Sequence, residues 1–269
     1  MNRQWIQEKL QALPGKIGLY YKNLKTGEVF QYHADESFRA ASVIKLPLLA
    51  ALLYEVKAGK LRFDDRLTVT SRDKVPSCGA LNYMHNGLEV TLLDLCYLMI
   101  IISDNTATNM AIRLLGFDRI ASIFRSFGLE KTCILRLLFD EEAQARGIEN
   151  EFTPREIGEL LEKIYRGQLI DSSMSELMIH ILKQQQINHK IPFLLPQAVE
   201  VAHKTGESSG ITHDVGIVFA EAPFILCFAS NETDVPLAEY TLHRLSRYFY
   251  DYSVSVLMNT IQGMDNRNE

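Results

Sequence analysis

Apolar positions along this chain follow two periods. From about residue 42 to about 185 they recur at helical spacing; after Pro196 they alternate along short runs. Residues 2–13 read as an amphipathic helix stopped by Pro14-Gly15. Two short β-prone runs follow, on either side of Lys25-Thr26-Gly27, a hairpin turn signal. In the helical middle, Thr91 with Asp94 resembles a capping box. It precedes TLLDLCYLMIII, apolar nearly all round and so a buried helix. Gly116 ends one helix, Asp118 caps the next, and Gly128 ends that one. Thr153-Pro154-Arg155-Glu156 supplies an N-cap, Pro at N1 and Glu at N3, and Gly167 stops the helix. AVEVAHKTG, THDVGIVFA and PFILCFASN read as three strands. A last helix spans about 236 to 261, with NRNE fraying behind it.

Strands therefore stand at both ends of the chain and helices fill the middle. The expected fold is α/β (α+β). Residues 1–40 and 196–269 form an antiparallel sheet flanked by helices, and residues 41–195 form an inserted all-α domain. A site is expected at the seam between the two.

Bulk properties narrow the chemistry. The 269 residues are ample for a large core, and 47% hydrophobic with 23% charged is ordinary for a globular protein. A net charge of −5 gives no footprint for nucleic acid. No run of about 18 apolar residues marks a membrane span. The seven His are scattered, without H-E-x-x-H or C-x-x-C spacing, so neither a metal nor another cofactor is expected. Cys96 and Cys227 lie in apolar runs and read as buried thiols; all four cysteines are expected to be reduced. The polar N-terminus carries no apolar leader segment, so a cytoplasmic location is expected, or a secreted one if a leader has been removed. A monomer or weak homo-oligomer is expected.

The candidate chemistry begins at Ser42 and Lys45, three apart where an apolar helix starts, and so on one face. By themselves they are equally a helix cap and a surface charge. A serine needs a base to take its proton, and a lysine serves if burial or nearby positive charge lowers its pKa. Two further stretches sharpen the choice. Ser103-Asp104-Asn105 separates two helices, and Lys204-Thr205-Gly206 ends a predicted strand. Each alone is an ordinary turn; all three in this order, on helix, loop and strand, are not.

S-x-x-K, S-D-N and K-T-G together resemble the class A β-lactamases and penicillin-binding proteins. The segments ISDNTATNMAIRLLG and Gln185-Gln186-Ile187-Asn188 are also similar to that family, and the likeness covers most of the chain. The resemblance implies a serine hydrolase acting on a small β-lactam or peptide-like substrate, the activity behind β-lactam antibiotic resistance. Ser42 would be the nucleophile, Lys45 its base, and Ser103 the proton relay to the leaving nitrogen. Asn105 would bind the substrate amide, Lys204 and Thr205 its carboxylate, and Gly206 would allow close approach. The backbone N–H groups of Ser42 and Glu207 would form the oxyanion hole.

The chain departs from that pattern in two places. The family's deacylating glutamate lies in Arg-x-Glu-x-x-x-Asn; aligned on Arg136, its position holds Leu138, and the asparagine position holds Glu142. Glu142 is then the candidate carboxylate for the water, with Asp140 and Glu141 as alternatives. Without one, the protein would acylate but deacylate poorly, like a penicillin-binding protein or D-Ala-D-Ala peptidase. A non-catalytic binding protein on the same fold is a third possibility. Glu207, where the family has a small residue, would put a negative charge at the mouth. His213-Asp214 is expected to be structural, because adjacent strand residues point to opposite faces. Cys78-Gly79-Ala80-Leu81 is a candidate for the cleft rim, with Cys78 expected to be a packed loop cysteine rather than a reactive thiol.

Overall fold

The structure, a computed structural model, describes residues 1–265. The expected fraying of residues 266–269 lies outside the described residues. A five-stranded antiparallel sheet has the order β2-β1-β9-β8-β7. Its strands are β1 (Lys16–Asn23), β2 (Val29–Tyr32), β7 (Val201–Ser208), β8 (Ile211–Val218) and β9 (Phe224–Asn231). Both ends of the chain thus meet in one sheet, and β1 pairs with β9 along its whole length, from Lys16↔Asn231 to Asn23↔Phe224.

Alternation along the strands sorts residues between two cores. Leu19, Tyr21, Phe224, Leu226 and Phe228 face one core, shared with α1 (Arg3–Gln11) and α9 (Val235–Asp265). Tyr20, Ile225, Cys227, Val215 and Ala202 face the other, which runs continuously into the helices of the middle of the chain. Those helices are α2 (Lys45–Lys57), α3 (Leu92–Ile101), α4 (Asn105–Leu115), α5 (Phe117–Phe127), α7 (Pro154–Tyr165) and α8 (Ser172–Lys183), with the short α6 (Glu141–Ala145) on a loop. A sheet covered on both faces explains why β8 and β9 are buried along their whole length.

The capping box of α3 is formed in both directions, and Thr153 caps α7 with Pro154 in its first turn. At α5 the expected cap is displaced. Gly116, with φ 78°, serves both as the end of α4 and as the N-cap of α5, and Asp118 lies inside the first turn. Two short strand pairings were not legible in the pattern: β3 (Phe38–Arg39) with β6 (Glu151–Phe152), and β4 (Arg66–Thr68) with β5 (Glu89–Thr91). A further bridge joins Cys133 to Glu151. These segments are too short to show a period.

Candidate active site

Ser42 lies in a 3₁₀ turn, Ala41–Ile44, that runs directly into α2. Neither Ala40, the N-cap of the turn, nor Ile44, the N-cap of α2, caps with a side chain, so Ser42 is not a helix cap. Pro47 falls in the first turn of α2, where a missing N–H costs nothing within the helix. Ser42 opens instead onto a cleft of about 340 Å³, lined also by Cys78, Asn105, Leu138, Glu141 and Glu207.

Lys45 is fully buried, so the surface-charge alternative fails. Its Nζ donates to the Ser103 carbonyl at 2.7 Å, to Ser103 Oγ at 2.9 Å and to Asn105 Oδ1 at 2.7 Å. Lys204, also fully buried, reaches the same hydroxyl from β7: Nζ lies 3.1 Å from Ser103 Oγ and 3.0 Å from the Thr205 carbonyl. Ser103 thus joins two lysines through one oxygen. Burial first, then the positive charge of Lys204, holds Lys45 well below an ordinary lysine. Burial also lowers Lys204, to about 7; the Asp214 carboxylate resists that shift and Lys190 adds to it. The Ser103 hydroxyl, which can both accept and donate, thus links the two amines.

The loops around the cleft are held in costly conformations. Ala41, Ser77, Ser103 and Phe139 all have positive φ, at 43°, 74°, 57° and 61°. Ala41, Ser77 and Phe139 line the cleft itself. Such backbone persists only where the surroundings impose it, and it gathers at functional sites.

Asp104 supplies part of that imposition, and sequence reasoning gave it no role. Its Oδ1 caps α4 through the Ala107 N–H at 2.9 Å. Its Oδ2 accepts from the N–H groups of Ala80 and Leu81 at 2.6 and 2.9 Å. One buried carboxylate therefore ties the Cys78 loop to the segment carrying Ser103 and Asn105. Gly79 is needed at that contact, since a Cβ there would stand 2.3 Å from the Asp104 side chain.

Gly206 also has a steric reason. A Cβ would meet the His213 ring at 3.0 Å, Val43 at 3.1 Å and the Ala40 carbonyl at 3.3 Å, so β7 comes close to the Ser42 turn. His213 is fully buried, and burial lowers its pKa to about 3. As neutral imidazole it donates from Nε2 to the Arg39 carbonyl and accepts at Nδ1 from the Ser230 N–H. Asp214 pairs instead with His203 at 2.9 Å. The two neighbours serve different partners, as their positions on a strand require.

The loop after Arg136 carries the departures. Arg136 bonds Glu149 through Nη2 at 2.7 Å and Nε at 3.1 Å, closing the loop at its base. Leu138 is held through its backbone by Asn109, its N–H at 2.8 Å and its carbonyl at 2.9 Å. Asp140 is spent as the N-cap of α6, accepting from the Ala143 N–H at 2.9 Å. The turn this starts directs consecutive side chains about 100° apart. Glu141 and Glu142 are both exposed, but Glu141 lines the cleft and Glu142 does not. Glu142, the expected base, thus stands outside the cleft lining that holds Glu141. Cys78 lines the cleft, in keeping with a place at its rim, but it is exposed rather than packed.

The Glu207 carboxylate stands on the cleft wall but is not free, pairing with Lys190 at 3.1 Å and His189 at 3.5 Å. Among the described residues, no group of three or more His, Cys, Asp and Glu is placed to hold a metal ion. No helix there is long and apolar enough to cross a membrane.

The profile of the β-lactamase enzyme family matches residues 3–253. The chain belongs to the β-lactamase enzyme family. Within it, the chain is 29% identical over 231 residues to β-lactamase 3 of Bacillus cereus, covering 84% of this chain and 72% of that protein. The β-lactamase of Sphaerobacter thermophilus superposes with a TM-score of 0.86 at 29% identity, covering 94% of this chain and 98% of that one. PBP-A does so with a TM-score of 0.85 at 30% identity, covering 93% and 95%. A substituted form of PBP-A has been captured as an acyl-enzyme with penicillin G.

Proposed function

We propose that this protein is a serine hydrolase that opens β-lactam amides through an acyl-enzyme on Ser42. The observation that carries the reading is the pair of buried lysines meeting at Ser103 Oγ. Ser42 Oγ attacks the lactam carbonyl carbon and gives its proton to the Lys45 amine. The backbone N–H groups of Ser42 and Glu207 hold the oxyanion. The C–N bond breaks, and the proton passes from Lys45 through Ser103 to the leaving nitrogen. Asn105 binds the substrate amide, and Lys204 with Thr205 binds its carboxylate. Water then cleaves the Ser42 ester.

That last step requires a base for the water. Glu141 is the carboxylate that lines the cleft without the ion pair that occupies Glu207, and takes that part in place of Glu142. The relatives named as β-lactamases support turnover. One observation favours a long-lived acyl-enzyme instead: Leu138 offers the cleft no carboxylate at the loop's anchored point.

Intact-mass spectrometry over time, with benzylpenicillin and with a chromogenic cephalosporin, tests this reading. Steady loss of cephalosporin with a transient adduct is expected, and both are abolished in Ser42→Ala. Turnover that survives in Ser42→Ala sinks the assignment. A lasting adduct selects the second reading.

A further inference from the structure

Lys190 is a buried cation with no part in the proton path above. It precedes β7, and its side chain is wholly shielded from solvent. A buried ammonium is costly unless it is paired and fully hydrogen-bonded. Here the acceptors sit on or opposite one short piece of β7. Nζ donates to the Gly206 carbonyl at 3.1 Å and the His213 carbonyl at 3.2 Å, and pairs with Glu207 Oε1 at 3.1 Å. Glu239 Oε1 stands further off, at 3.9 Å.

Gly206 and His213 are register partners across β7 and β8. One ammonium bridging both carbonyls means that the Gly206 C=O is turned toward β8. In a trans peptide the C=O and the following N–H point in opposite directions. The Glu207 N–H is therefore turned away from β8, and β7 is the edge strand with no further strand to receive it. Glu207 shares the cleft with Ser42. The same ammonium holds the Glu207 side chain, so both ends of that residue are fixed by one group.

We infer that Lys190 is a positioning residue for acylation. It orients the Gly206–Glu207 peptide so that its N–H faces the reacting carbonyl, and it restrains the Glu207 carboxylate at the cleft wall. The inference rests on the acyl-enzyme reading. It is tested on the full chain by single-turnover acylation with benzylpenicillin across a concentration series. That experiment separates the limiting rate constant from the half-saturation concentration.

Removing an oxyanion donor outright costs about 10²–10³ in rate, so misaiming one in Lys190→Met should lower the limiting rate constant by roughly tenfold or more. Half-saturation should move much less. Lys190→Arg, which keeps charge and donors, should recover most of the rate. If Lys190→Met folds poorly, Lys190→Gln takes its place against Lys190→Arg: a slower Gln variant supports the inference. Equal limiting rates in wild type and the neutral variants overturn it, as does a change confined to half-saturation. Wild-type protein that leaves Ser42 unacylated sinks the acyl-enzyme reading itself, and is thereby distinguishable.

Discussion

Replacing Ser103 with alanine separates chemistry from architecture in this site. The substitution removes one oxygen, but that oxygen is bonded to both buried lysines. Lys45 keeps the Ser103 carbonyl and Asn105 Oδ1, and Lys204 keeps the Thr205 carbonyl. Neither lysine is left without a hydrogen-bond acceptor. A hydrogen bond to a charged group is worth about 1.5–3 kcal/mol, and partial compensation places the total structural cost at about 2 kcal/mol. For a chain of this size that corresponds to a melting temperature lowered by roughly 4–8 °C. Alanine also tolerates the positive φ of Ser103 no worse than serine does, so backbone strain is unchanged. The chemical cost is larger, because the hydroxyl joining the lysines is the proposed relay to the leaving nitrogen. Loss of a positioned acid–base group slows a step by about 10²–10⁴-fold. Stopped-flow acylation should show that drop, steepest for substrates whose leaving nitrogen is most basic, while the melting temperature falls only modestly. Acylation within about threefold of wild type would refute the relay and leave Ser103 as a spacer between two buried lysines.

Other outcomes are expected from the same geometry. Glu141→Gln should slow release of the acyl group from Ser42, and Glu142→Gln should not; the decay of the intact-mass adduct compares them directly. Leu138→Glu places a carboxylate on the cleft wall at a backbone position already clamped by Asn109, and should speed adduct decay by about tenfold or more if it reaches the water. With Lys204 lowered to about 7, the ammonium that receives a substrate carboxylate is lost as pH rises through that value. The second-order acylation constant for benzylpenicillin should therefore fall by about tenfold per pH unit above neutrality, once the rise from the Lys45 base has levelled. A pH-independent constant from 7 to 9 would argue against Lys204 as the carboxylate site. Stability should move the other way. The unfolded chain holds the Lys204 proton up to an ordinary lysine pKa, so between about 7 and that value the folded form binds fewer protons and gains stability as pH rises. Thermal melts across that range check the sign.

Much of the fold was legible because period and punctuation are local. Thr91 and Asp94 form their box within four consecutive residues, and alternation along residues 224–229 assigns each side chain to a sheet face without reference to anything distant. The motifs at Ser42, Ser103 and Lys204 were legible for a different reason: each alone is ordinary, but all three in this order, on helix, loop and strand, are not. The cap at Asp118 was misplaced because Gly116 can end one helix and start another in a single positive-φ residue, and no spacing rule reveals that.

The sequence by itself determined which residues are available to react, where the longer helices and strands lie, and that an apolar helix begins at a serine and a lysine. Tertiary structure alone decided what those residues do to one another. It buried Lys45 and Lys204 around one hydroxyl and placed Lys190 behind the strand that faces Ser42. It also turned Glu141 into the cleft while Glu142 stayed outside. The physical reason is that pKa and hydrogen-bond direction depend on distance and desolvation. These are set by segments 58 and 101 residues apart in the chain, which no local pattern encodes.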